Sequence, residues 1–228
     1  MAINLEEVDV DGAVREAADE VSGDTRLSFL KKGALAGGAA LGGGAILTAL
    51  VPGTALAKEV GAPPASTYGK GDIGIFNYAL TLEYLESSFY NEASKNNVAK
   101  GDKQLEAFLK VTKVDENYHV KLLKGVLGSK AVKEPKFDFG KAVTDKATFA
   151  ATAYVLENTG VHAYLGQAAN IANAKYLLVA ASIVTVEARH SGAIGLYLGK
   201  TIAPAPLDTG YTAAKVLAAV KGTGFIKS

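Results

Sequence analysis

Two short stretches constrain this chain more than any other: Glu116-Asn117-Tyr118-His119 and Glu187-Ala188-Arg189-His190, each a Glu-x-x-His element. On a helix the i and i+3 side chains project from one face, so each element can bring a carboxylate and an imidazole to a common point inside a bundle. The 228 residues include three histidines and thirteen glutamates. Plain composition then places a Glu three residues before a given His roughly 6% of the time. Finding it at two of three is about a 1% accident, and two such elements can hold two metals.

Two further carboxylates extend the pattern. Glu83 is followed seven residues on by Tyr90, and Glu157 in the same way by Tyr164, so each Glu shares a helix face with its Tyr. Ala79, Leu82, Glu83 and Tyr90 match Ala153, Leu156, Glu157 and Tyr164 without gaps, and Glu116, His119, Leu127 and Gly128 match Glu187, His190, Leu198 and Gly199. The order Glu, Glu-x-x-His, Glu, Glu-x-x-His reads as an internal helical-hairpin repeat.

Periodicity predicts four long helices. The first runs from Asp72 to about Ser94. Asp102 caps the second, which stops at Gly128, and a long connection through Pro135 leads to a cap at Thr144 or Asp145. The third helix continues to about Ile171, Asn173 breaks it, and the fourth covers Ala174 to Leu198 with Gly199 as its stop. Residues 210–221 form a short final helix, and the last few residues fray. Strand signals are nearly absent, so the fold class is all-α: a four-helix bundle with one long crossover between the second and third helices and a short C-terminal helix.

The chain ahead of the bundle reads differently. Residues 1–57 carry eight acids against four bases, leaving 20 bases and 15 acids for the rest, a mildly basic balance with no Lys/Arg stripe among aromatics. Nucleic acid is therefore not an expected partner. Within 1–57 an acidic tail precedes a basic Thr25–Lys32 segment, a Gly/Ala/Leu-rich run and Ala55-Leu56-Ala57, the order of an export signal. It resembles a twin-arginine signal, with Leu27 where the second arginine belongs. The expectation is a cleaved signal and an exported protein of the periplasm or cell envelope; the rival reading is a membrane anchor at 33–51, and any membrane contact is confined to this segment. Residues 58–70 are a linker, 71–200 the bundle and 201–228 a C-terminal extension.

Cysteine is absent, which excludes disulfides and thiolate metal sites, so any metal is held by oxygen and nitrogen. A lone Glu-x-x-His is most simply a hydrogen-bonded pair or a surface feature. As a set, four glutamates and two histidines on inward faces would cost several kcal/mol per buried carboxylate without a cation, and a dinuclear centre offsets that cost. Tyr90 and Tyr164 read as core residues that could also bond site carboxylates or make redox contact with the metals. Glu86, one turn beyond Glu83, matches Gly160 in the second half and reads as a neighbour of the site or a surface residue. His162 lies well around the helix from Glu157 and reads as outward-facing or at a pocket edge.

The ordered pattern of Glu83, Glu116, His119, Glu157, Glu187 and His190 resembles the ferritin-like superfamily of carboxylate-bridged di-metal bundles, and within it the exported ferritin-like domain proteins. That resemblance implies that Glu83 and Glu157 are single terminal carboxylates, that Glu116 and Glu187 bridge the metals, and that His119 and His190 each terminate one. It implies two iron ions, or two manganese ions in the alternative, and reaction with O2 or peroxide as a ferroxidase or oxidase. A dimanganese catalase-like enzyme and a non-enzymatic envelope stress protein with a structural metal site are the rivals. A homo-oligomer accords with the resemblance, and the sequence names no organic substrate.

Overall fold

A computed structural model of the chain describes residues 63–227. The acidic tail, the signal or anchor and the start of the linker lie outside these residues. The described chain forms α1 (Gly71–Lys95), α2 (Lys103–Leu127), α3 (Lys146–Ala168), α4 (Ala174–Tyr197) and α5 (Ala213–Thr223), with 3-10 turns at Ser66–Tyr68, Gly128–Lys130 and Gly140–Val143. The first four helices make an all-α bundle in which α1 packs most extensively on α2 and α3 on α4, while α1–α3 and α2–α4 meet along narrower seams.

Local chemistry sets the helix ends. Asp102 accepts from the Leu105 amide at the start of α2, Asp145 from Thr148 at α3, Asn173 from Lys175 at α4 and Thr212 from Lys215 at α5. Each cap satisfies an amide that the first turn leaves without a partner. Asp72 in the first turn of α1 also accepts from the Ala172 and Asn173 amides at 2.8 and 2.9 Å, tying the start of α1 to the start of α4. At the other end of the bundle the Tyr197 hydroxyl donates to Asp102 at 2.8 Å. Gly128 and Gly199, which match in the repeat, follow α2 and α4 with φ of +55° and +72°, a conformation that side-chain-bearing residues rarely adopt.

The buried stripe of α2 is Leu105, Leu109, Thr112, Glu116, His119, Leu123 and Leu127, spaced at fours and threes. Its candidate ligands are thus part of the stripe that drives packing, and forming the bundle necessarily turns them inward. The α4 stripe repeats the arrangement with Ala180, Ile183, Glu187, His190 and Ile194. Among the described helices, α4 alone is long and apolar enough to cross a membrane, yet it carries both ligand candidates into the interior and packs along α3. Helix α1 is buried on nearly every side because the Ser66–Tyr68 turn and the Gly140–Val143 turn of the crossover pack on it beside α2 and α3.

The crossover lies along the bundle. Asn77 on α1 donates to the Lys130 carbonyl at 3.0 Å and accepts from the Val132 amide at 2.9 Å, fixing where the chain leaves α2. Two features differ from the sequence reading. Helix α3 ends at Ala168, a turn earlier than expected, and Ile226–Lys227 are held rather than frayed, pairing antiparallel with Lys136–Phe137 of the crossover. That two-residue ladder is anchored by aromatic packing, with Phe139 against Phe89, Phe137 and Phe225 at centroid distances of 5.3–5.7 Å.

Candidate metal centre

Midway along the bundle the six sequence-predicted residues converge. Glu83 comes from α1, Glu116 and His119 from α2, Glu157 from α3, and Glu187 and His190 from α4. All four glutamates have 0% exposure, and both imidazoles are buried. Ligand-capable atoms fall into two groups of four, each within 4.8 Å of one another: Glu83, Glu116, His119, Glu187, and Glu116, Glu157, Glu187, His190. Glu116 and Glu187 belong to both.

The contacts inside these groups suit a cation better than hydrogen bonding alone. The Nδ1 atom of His119 lies 3.3 Å from Glu83 Oε2, 3.1 Å from Glu116 Oε2 and 3.1 Å from Glu187 Oε1. His190 Nδ1 lies 3.1 Å from Glu116 Oε1 and 3.2 Å from Glu157 Oε2. One ring nitrogen has a single proton or a single lone pair, so it cannot satisfy three carboxylates at once. Both oxygens of Glu187, with Glu83 Oε2 and Glu116 Oε1, are enclosed without a properly aligned donor. Orphaned carboxylate oxygens converging from three helices are what a pair of cations would satisfy, so the residues fit a di-metal centre.

Electrostatics point the same way. Burial, followed by the charges of Glu116 and Glu83, pushes the Glu187 carboxyl well above its usual range. Burial also raises Glu116, to about 7, although hydrogen bonds from both imidazoles oppose the shift. For the imidazoles burial disfavours charge, but the carboxylate hydrogen bonds outweigh it and lift His190 to about 11 and His119 likewise upward. Protons are standing in where positive charge is needed.

The tyrosines bond across the repeat. Tyr164 of α3 donates to Glu83 Oε1 of α1 at 2.5 Å, and Tyr90 of α1 donates to Glu157 Oε1 of α3. Each phenol therefore holds the single glutamate of the other half, leaving the second oxygen of that carboxylate turned toward the cluster. Burial, then the neighbouring carboxylate charge, keeps both phenols well above their usual pKa and hence protonated donors.

Glu86 is not at the surface. It is 3% exposed, stands off both four-residue groups, and has its carboxyl raised by burial and then by Glu187, Glu157, Glu116 and Glu83. A Cβ at Gly160, its repeat counterpart, would lie 3.5 Å from Glu86 Oε1 and 3.3 Å from Glu187 Oε2, so the glycine makes room for both carboxylates. His162 is outside the site: its Nδ1 meets the Thr209 carbonyl, and its ring stacks on Tyr211 with centroids 4.1 Å apart. Sequence reasoning gave no role to Asp115, whose Oδ2 lies 3.0 Å from His190 Nε2. The signal was its position next to Glu116, with Val186 in the matching place.

A four-helix bundle with a carboxylate donor from each helix and an imidazole from the second and the fourth defines the class of ferritin-like proteins. The ferritin-like domain family model matches residues 71–200, more than half of the chain, and the chain belongs to that family. Comparison with curated proteins found no match.

Proposed function

We propose that the chain is a carboxylate-bridged di-metal protein that holds an iron pair and reacts with O2 or peroxide. The observation that supports this reading is the sharing of Glu116 and Glu187 between two four-residue groups, each with three carboxylates and one imidazole. In this reading Glu83 and His119 terminate one ion, Glu157 and His190 the other, and Glu116 and Glu187 bridge them. A bound iron pair supplies two electrons to the oxidant, and anionic oxygen donors favour its oxidised state. The protein's own part is to hold that pair in a dry interior: Tyr90 and Tyr164 orient the terminal carboxylates, the leucine and phenylalanine packing on either side excludes water, and Glu86 keeps a proton beside the bridging Glu187.

Anaerobic loading with two Fe(II) per chain, followed by stopped-flow mixing with O2, tests the chemistry. Rapid oxidation in the parent, lost in His119→Ala, is the expected outcome. Oxidation no faster than that of free Fe(II) would remove the oxidase reading and leave a structural metal. The same donors suit a manganese pair that dismutates peroxide; metal analysis of protein from its native host and a peroxide assay separate the two. The Ala55-Leu56-Ala57 ending supports export, with a mature chain starting near Lys58. Intact mass from an envelope fraction reads this directly, and a mass that retains 1–57 would favour an anchor.

A further inference from the structure

The repeat that builds the site is broken beside one histidine. His190 faces the cluster through Nδ1 and turns Nε2 to Asp115 of α2, 3.0 Å away. The residue matching Asp115 in the second half is Val186. His119, whose Nδ1 makes the corresponding approach to Glu83, Glu116 and Glu187, therefore has no carboxylate on Nε2 among the described residues. Other features of the two groups are shared or paired. Glu116 and Glu187 are common to both, each terminal carboxylate accepts from one tyrosine, and Glu86 and the shared Glu187 both border Gly160.

A carboxylate on the outer nitrogen keeps the proton there, leaves the inner nitrogen as a lone-pair donor, fixes the ring plane and raises ligand basicity. Removing such a partner costs about 10–100-fold in metal affinity. Resting on the metal-pair reading above, we infer that the two cation positions are unequal. The position formed by Glu116, Glu157, Glu187 and His190 binds tightly and fills first; the one formed by Glu83, Glu116, His119 and Glu187 binds more weakly and exchanges. Asp115 is the positioning residue that separates them, acting through His190. Its side chain is 36% exposed, so substitution there leaves no buried hole.

The test is an anaerobic titration of the full chain with Co(II), followed by visible absorbance and calorimetry, with circular dichroism confirming the fold of each variant. The parent should bind in two steps separated by about 10–100-fold. Glu157→Gln should remove the tight step and Glu83→Gln the weak one. Asp115→Asn should weaken the tight step by about 10–100-fold and merge the two, while Asp115→Glu restores the separation. Val186→Asp, which gives His119 the missing carboxylate, should strengthen the weak step. Two equal steps in the parent, or an Asp115→Asn variant that leaves the tight step unmoved, would overturn the inference while leaving the metal pair intact. No Co(II) bound by the parent would instead remove the metal-pair reading on which it rests.

Discussion

The Tyr164 hydroxyl donates to Glu83 Oε1 at 2.5 Å, joining the third helix to the first across the centre of the bundle. With the reciprocal bond from Tyr90 to Glu157, the two halves of the repeat are cross-linked at Glu83 and Glu157. Each is a buried hydrogen bond to a charged acceptor, so Tyr90→Phe or Tyr164→Phe should cost about 1.5–3 kcal/mol of stability. Two cations should still bind, because neither phenol belongs to the four-residue groups. Denaturant titrations in chelator check the first statement, and metal analysis the second.

Two glycines of α3 separate an effect on the site from an effect on the fold. In Gly160→Ala the new methyl meets Glu187 Oε2 at 3.3 Å, so a shared carboxylate must shift by a few tenths of an ångström. Cation affinity should fall with little loss of stability. In Gly166→Ala the methyl collides with the backbone carbonyl of Tyr211, so the segment carrying Thr209 and Tyr211 must lift away. That overpacking should cost about 1–3 kcal/mol or more while leaving affinity near the parent's. Paired melts and cation titrations read both.

Stability and metal affinity should depend on pH in opposite directions. Burial holds the folded-state carboxyl of Glu116 at about 7, above the 4.5 of the free group, so its contribution is fully present below about pH 4.5 and is lost as pH rises through 7. Glu187 is raised for the same first reason and has the same sign. His190, raised from 6.5 to about 11 by hydrogen bonds from which burial subtracts, contributes stability below 6.5 that is lost as pH climbs toward 11. In chelator, the melting temperature should therefore fall between about pH 5 and 9. A bound cation displaces these protons, so affinity should rise over that window. Melts at about pH 5, 7 and 9, with and without Mn(II), should show a widening gap; a gap that narrows as pH rises would contradict this.

What the sequence disclosed followed from short-range chemistry. Asp102 and Asp145 marked helix starts because a cap bonds within its own first turn, and Asn173, read as the break after the third helix, caps the fourth. The six candidate ligands were readable because Glu-x-x-His and the apolar stripe share one helical period. The crossed tyrosines were not, since seven-residue spacing puts Glu83 and Tyr90 on one face without saying that α3 is the neighbour. Glu86 was left between a neighbour of the site and a surface residue for a related reason: α1 is buried nearly all round, so periodicity could not tell an interior carboxylate from a surface one. The pairing of Lys136–Phe137 with Ile226–Lys227 joins distant two-residue segments, too short for any strand pattern to register.

The central claim is a pair of cations held between Glu116 and Glu187, and metal stoichiometry per folded chain tests it most directly. Protein loaded anaerobically with Fe(II) or Mn(II), desalted and analysed by elemental mass spectrometry should carry two metals per chain. Glu116→Ala and Glu187→Ala should each lose the pair, whereas His162→Ala, altered at a position outside the site, should retain two. A parent that binds no metal, or equal loss from all three substitutions, would contradict the account.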